Sequence, residues 1–550
     1  MGQNGINCLR QCVGTIIDSE NNKNVEVILL NPILSFNCGA NKIKSIKINK
    51  VSSPVQKRKL SSVYTPIQIK MDYSYLDSQK NSEDLIDRIK KVLNITVSYF
   101  SKLLSVLHED FYYQPEHFKT YCKIPTFGAD YRTYGLNYDI VIIPYFSDTI
   151  GSTVQAAATA CVAISETMQP KMGVIMINPN LDFSYTNSEH FLEMLFLHEM
   201  SHIFIFHQAF FISLNMMTQE IVNDETIYYI KSPTVLEKAK KHFGCSSITG
   251  IPLENYGGLG SAGSHWESRY LLGDYMIATD YPEIVISDIS LAVFEDSGFY
   301  KVNYLTGGLF RFGKGEGCNF FSKKCIIDGG TLFANEFCIK TQEPFCTSGH
   351  LAKGHCYIGQ YNFVISGQYQ YFKNPNVGGY SPADYCPISF DNLYDKTNYY
   401  FATNCKMGRQ SMTHPDYGET IGDNSICVES SLVPTWSSQG EIYRSICYEI
   451  KCNEQDEQVI VKIGDKSVVC PNNGGLINNP DGFRGKIVCP DYNSVCTSDV
   501  WCNDPLDCID KNVTANDKSY YYKYTLPTNT KSSYLSSSSI LLFLLISLFF

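Results

Sequence analysis

Several familiar features are missing from this chain, and each absence removes a class of function. There is no basic tract of the kind that grips phosphates, and the formal net charge is -10 with a pI near 5.6, so a nucleic-acid-binding role is excluded. No CxxC pair recurs, so the 21 cysteines are not laid out as a thiolate metal cluster. The opening Met1–Ile6 has neither a charged n-region nor an apolar h-region, and position 6 is not the Ser or Thr that myristoylation wants. The apolar run that closes the chain, 540–550, falls short of the about 20 residues a membrane helix needs. Charged residues make up only 18% and hydrophobic residues 44%, an ordinary globular balance rather than disorder.

What is present in quantity is cysteine, unevenly placed. Cys8, Cys12 and Cys38 stand apart, and 18 more lie from Cys122 to Cys508, twelve of them from Cys346 onward. An even downstream set on a Gly/Asn/Pro-rich background reads as up to nine disulfides formed in an oxidising compartment. Two glycosylation sequons, at Asn94 and Asn512, agree with export. At the C-terminus, small residues from Asn529 to Ser533, a polar spacer and the apolar tail fit a GPI-attachment signal. The opening residues do not match this exported character, and an N-terminus lying further upstream is expected to resolve it.

With 550 residues the chain has room for two or three domains. Residues 1–60 look separable and end on the basic cluster Lys57-Arg58-Lys59, which suits a processing protease. The alternation over Thr65–Tyr73 predicts a half-buried strand, and apolar residues three and four apart over Ser82–Leu107 predict an amphipathic helix. Strands are expected at Asp139–Ile143 and Gly173–Asn178, with Val154–Met168 between them as a helix or buried crossover. Glu189–Phe206, apolar almost all round, predicts a helix inside the domain. Beyond about residue 325, short strands and turns take over.

On that buried helix stands His198-Glu199-Met200-Ser201-His202. A four-residue step puts both imidazoles on one face, one turn apart, where they can grip a single Zn²⁺. Glu199 lies beside them as the candidate general base for a zinc-activated water. A catalytic zinc wants a third protein ligand and one open position. The short metzincin spacing would need Gly at 205 and His at 208, where the chain has Ile205 and Gln208, and His207 is one residue off register. Further on, His265 is followed eleven residues later by Met276, which suits a third ligand and a Met-turn.

These stretches resemble the leishmanolysin family of surface zinc metallopeptidases, in which the third histidine is separated from the HExxH helix by a long insertion. The resemblance runs from about Thr65 to Cys508. It is carried by Gly173–Pro179, His198–His202, Ser264–Arg269, Asp274–Met276 and Phe294–Tyr300. It implies one catalytic Zn²⁺ held by His198, His202 and His265, with Glu199 as base and Met276 in the Met-turn. It further implies an α+β fold, in which a metzincin-type catalytic domain with a zinc-binding active-site helix precedes a disulfide-rich, mostly β and loop C-terminal domain. The expected division is a propeptide at 1–60, an N-terminal catalytic subdomain at 61–207 and a central subdomain at 208–325. A cysteine-rich domain at 326–528 and a GPI-attachment signal at 529–550 complete it. Protein or peptide substrates, a cell-surface or secreted location and a membrane tie through the anchor go with that reading. Latency through a propeptide thiolate would fall to Cys8, Cys12 or Cys38. Cys122 with Cys161 is the first disulfide expected across the core. The family's Gly is replaced by Ile205, so the helix is expected to run on or to leave by a different turn.

Two other readings stay open on sequence. A gluzincin-type peptidase would take a glutamate, Glu220 or Glu225, as third ligand. A surface adhesion or binding protein on the same fold would show little or no turnover.

Overall fold

In the computed structural model, the described residues are 60–496 apart from 151–153, 181–188, 223–224, 257–260, 280, 282, 305–309, 342, 391–402, 407–413, 423 and 454. Ahead of them the backbone of a hairpin is described at Val13–Ile17 and Asn24–Ile28. The basic cluster at 57–59, Cys8, Cys12, Cys38, Asn512 and the 529–550 tail lie outside the described residues.

A four-stranded sheet carries the site. Its strands are β1 (Ile69–Met71), β2 (Ile140–Phe146), β3 (Ala156–Ala163) and β4 (Pro170–Ile177), in spatial order β1-β2-β4-β3. β1, β2 and β4 run parallel, and β3 closes one edge antiparallel to β4. β4 is buried along its whole length, as expected of a strand covered on both faces.

Two long helices pack on this frame. Helix α1 (Glu83–Leu103) starts where the Ser82 hydroxyl accepts the Leu85 N–H, with Glu83 and Asp84 in its first turn. It buries Ile89, Val92, Leu93, Thr96, Tyr99, Phe100 and Leu103, a stripe at helical spacing. Helix α2 (Glu189–Phe204) lies against β3 and β4. The approach is close: a Cβ on Gly173 in β4 would stand 2.3 Å from Ile203 Cγ2, so a side chain there would push the helix off the sheet.

Three local expectations need correction. Val154–Met168, expected as a helix or a buried crossover, holds the edge strand β3. Its alanines would favour a helix in isolation, but pairing with β4 from Ala156↔Ile177 to Ala163↔Pro170 satisfies its backbone and its small side chains are buried in the layer. Cys161 in this strand bonds Cys122, the pairing expected from sequence. The helix expected over Ser82–Leu107 stops at Leu103, because Leu104–Glu109 becomes a strand paired with Leu60–Pro66 and with Lys301–Val302. The strand expected over Thr65–Tyr73 is two pieces in different sheets, broken at Ile67 and Gln68, where the Ile67 N–H turns to Leu104 O.

One apolar core runs from Ile67 to Phe390 and a second from Tyr417 to Cys496. The second lies under a six-stranded antiparallel sheet built on Ser425–Ser430, Arg444–Asn453 and Gln458–Ile463. Eight disulfides are present among the described residues, and Cys502 and Cys508 fall outside them. Cys346–Cys427 and Cys405–Cys447 pack together, stapling the segment around 346 to the sheet of the second core. The fold is thus mixed α+β with a disulfide-rich C-terminal region.

Candidate metal centre

Helix α2 is made of Leu, Met, Phe and Ile around its polar residues, and Leu192, Phe196, Met200 and Ile203 are fully buried. His198 and His202 stand on another side, His198 half-buried and His202 buried, and Glu199, the residue between them in sequence next to His198, is also buried. A loop that follows Ile251–Leu253 brings His265 against this face: Glu254 N–H donates to His265 O at 2.9 Å, and Glu267 N–H donates to Pro252 O at 3.2 Å.

The three imidazoles meet through the same atom. Nε2 of His198 is 3.1 Å from Nε2 of His202 and 3.2 Å from that of His265, and the third distance is 3.1 Å. Each Nδ1 faces a backbone carbonyl: His198 to Tyr275 O at 2.6 Å, His202 to Phe206 O at 2.5 Å, His265 to Ser261 O at 2.9 Å. A carbonyl can only accept, so each Nδ1 carries the proton and donates it. The three Nε2 atoms are therefore three lone pairs pointed at one another with no proton between them. Such an arrangement is repulsive unless a cation fills it. Tetrahedral ligands at about 2.0–2.1 Å from zinc stand roughly 3.3–3.4 Å apart, close to the observed spacing. The donor set fits one zinc with an open fourth position.

Electrostatics point the same way. Burial pushes His198 down to about 4 and His265 to about 3, and His202 is driven well below the ordinary histidine range by burial and by its two neighbours. All three are neutral at physiological pH, the form that binds metal.

The turn after α2 departs from what Gly would provide. Ile205 is fully buried and is not among the residues with positive φ. The N–H groups of Ile205 and Phe206 both donate to Ser201 O, and His207 N–H donates to Ile205 O at 2.7 Å. This tight exit lets a β-branched residue stand there and aims Phe206 O at His202. His207 does not join the triad; its Nδ1 accepts the Ala209 N–H and caps the short helix α3 (Gln208–Ser213). Gln208 N–H then donates to Ser264 Oγ at 3.1 Å, tying the exit of α2 to the residue before His265.

Met276 is fully buried, and its carbonyl accepts the Trp266 N–H at 2.9 Å. Its neighbour Tyr275 clasps α2 twice, through its carbonyl to His198 and through its hydroxyl to Ser201 Oγ at 2.9 Å. Glu220 and Glu225 lie on the Met217–Val222 and Glu225–Ile230 hairpin and are not part of the histidine group. The Glu225 carboxylate accepts from Gln368 Nε2, Tyr369 and Tyr256. Asn94 stands exposed on α1, where its Oδ1 accepts the Tyr73 hydroxyl. Sequence reasoning missed the orienting carbonyls of Tyr275, Phe206 and Ser261. A backbone acceptor leaves no trace in residue identity, so only the fold could reveal them.

Against known proteins, the sequence model of the leishmanolysin family matches residues 89–502. A leishmanolysin homolog of Crithidia fasciculata is 29% identical over 398 residues, 69% of this chain and 59% of that protein. Leishmanolysin of Leishmania tropica is 27% identical over 361 residues, 63% of this chain and 53% of that protein. A leishmanolysin-like peptidase of Drosophila melanogaster is 27% identical over 302 residues, 48% of this chain and 43% of that protein. The matched region thus spans between two fifths and three fifths of these relatives' length.

Proposed function

Because this chain belongs to the leishmanolysin family, a family of zinc metalloproteases, we propose that it is a zinc-dependent metalloendopeptidase acting on proteins at the cell surface or outside the cell. The observation that carries this reading is the convergence of three unprotonated Nε2 atoms within 3.2 Å of one another. His198, His202 and His265 would hold the metal, and Met276 would be the Met-turn residue. Zinc bound there supplies Lewis acidity, polarising a carbonyl and acidifying water.

The chain's own residues do the rest. The carbonyls of Tyr275, Phe206 and Ser261 hold the imidazoles in one tautomer and one orientation. Glu199, in the step between two of the histidines, takes the proton of the attacking water and returns it to the nitrogen of the departing amine. The protein wall around the site limits bulk water and strengthens each charge interaction inside it.

Disulfide chemistry supports that location, since eight bridges form and persist where the environment is oxidising. The GPI anchor, glycosylation at Asn94 and Asn512, latency through Cys8, Cys12 or Cys38, and the five-part division of the chain belong to the same reading.

The test is cleavage of casein by the chain made in an oxidising host and freed of residues 1–60, the segment that would hold it latent, beside Glu199→Ala. The wild type is expected to cut, to stop with chelator and to resume with zinc. Glu199→Ala should keep its zinc and lose at least 100-fold in rate, the lower bound for a general base. Zinc bound by both proteins with cleavage by neither would favour the binding-protein reading instead.

A further inference from the structure

Behind the histidines lies a buried carboxylate that the reaction itself does not use. Asp274 is fully buried. Its Oδ1 accepts the Met276 N–H at 2.8 Å, its Oδ2 accepts the Ser287 N–H at 3.4 Å, and the Ser290 hydroxyl donates to the pair at 2.8 Å from each oxygen. Ser290 Oγ in turn accepts the indole N–H of Trp266 at 2.7 Å. An indole nitrogen can only donate, so the chain of protons has one direction: Trp266 to Ser290, Ser290 to Asp274.

The three partners lead to different parts of the site. Trp266 follows His265 directly, and its backbone N–H is bonded to Met276 O. Tyr275, between Asp274 and Met276, gives its carbonyl to His198. Ser287 caps helix α4 (Asp288–Asp296), and Ser290 stands in its first turn. Burial pushes Asp274 up to about 6 while these donors pull it down, so it is ionised at neutral pH.

We propose that Asp274 is a positioning residue for the histidine triad, setting His265 through Trp266 and His198 through the Tyr275 carbonyl while anchoring both to α4. The proposal rests on the metallopeptidase reading above, because it concerns the ligands of that site. A buried charge is a costly way to stabilise a fold, and apolar packing of the same volume is often as stable. Its use here is geometric: groups behind metal-ligating histidines fix ring orientation, and losing one typically costs 10–100-fold in metal affinity or activity.

Asp274→Asn keeps shape but replaces one acceptor oxygen with an N–H₂ donor facing other donors. Ser290→Ala removes the link to Trp266 and leaves the carboxylate in place. The readouts, on the full chain, are zinc affinity by chelator competition and the visible spectrum of the Co²⁺-substituted protein, which follows ligand geometry rather than fold stability. Both variants are expected to bind zinc roughly 10–100-fold more weakly and to shift the Co²⁺ bands. The double variant should be no worse than Asp274→Asn alone, because both act through one network. Val461→Ala, a cavity in the second core, serves as the destabilised control and should leave zinc affinity unchanged. Should Asp274→Asn fail to fold, Ser290→Ala carries the test by itself. Variants that bind zinc like the wild type, or no worse than Val461→Ala, overturn the positioning role and leave the peptidase reading intact. A wild type that binds zinc but does not cut even after residues 1–60 are removed overturns the peptidase reading, while weakened zinc binding in both variants would still support the positioning role.

Discussion

Three histidines with ordinary chemistry can hold a metal because each is unprotonated at one nitrogen and fixed at the other. The fixing acceptors are the carbonyls of Tyr275, Phe206 and Ser261, and burial does the deprotonating. This has a measurable consequence for pH. Metal competes with protons only below the pKa values of the folded, metal-free site, which are about 4 for His198 and about 3 for His265, with His202 also well below the ordinary range. Zinc affinity should therefore stay nearly flat from pH 8 down to about 5 and fall steeply only below about 4. Ordinary histidines would begin to lose metal near 6.5. Chelator-competition titrations across that range decide between the two curves. The sign for folding is the same: the neutral imidazoles contribute stability above the unfolded pKa of 6.5, and it is lost as the pH falls through the folded values. At this scale the pairing of His198 with His202 was legible from a four-residue step, and the approach of His265 from its distance to Met276. The carbonyls that orient them were not, since any residue can present one.

Among the elements, helix α2 and the turn after it decide whether the triad can form. The relevant residue is Ile205, where the family resemblance implied a glycine. The exit it makes needs no positive φ, and its side chain is fully buried in the main core. Ile205→Gly should therefore destabilise rather than restore: the lost side chain leaves a cavity and the glycine gains unfolded-state freedom. The cost should be about 3 kcal/mol or more in urea unfolding, within the range for removing a buried Ile side chain plus the glycine term. A neutral or stabilising effect would mean that the turn is under strain. Helices with a clear stripe or an unbroken apolar run, α1 and α2, were readable to within a few residues. Val154–Met168 was not, because an alanine-rich run has no period and its state is chosen by the strand beside it. The helix at Ser82–Leu107 was drawn too long for a related reason: Leu104 and Val106 continue its apolar pattern but are claimed by partners on both sides.

For the molecule as a whole, the cysteine distribution foretold a stapled C-terminal half, and the six bridges that lie between Cys325 and Cys496 bear that out. The partners themselves could not be read, apart from Cys122 and Cys161, because pairing depends on which loops the fold brings together. The fold agrees with membership of the leishmanolysin family, and the claim on which everything turns is that His198, His202 and His265 together hold one zinc. The direct measurement is zinc per chain after dialysis against a weak chelator, for the wild type and for His265→Ala, with retained folding checked by circular dichroism. The account predicts about one zinc in the wild type and a loss of nearly all of it in the folded variant. A His265→Ala protein that still carries one zinc at wild-type affinity would contradict it.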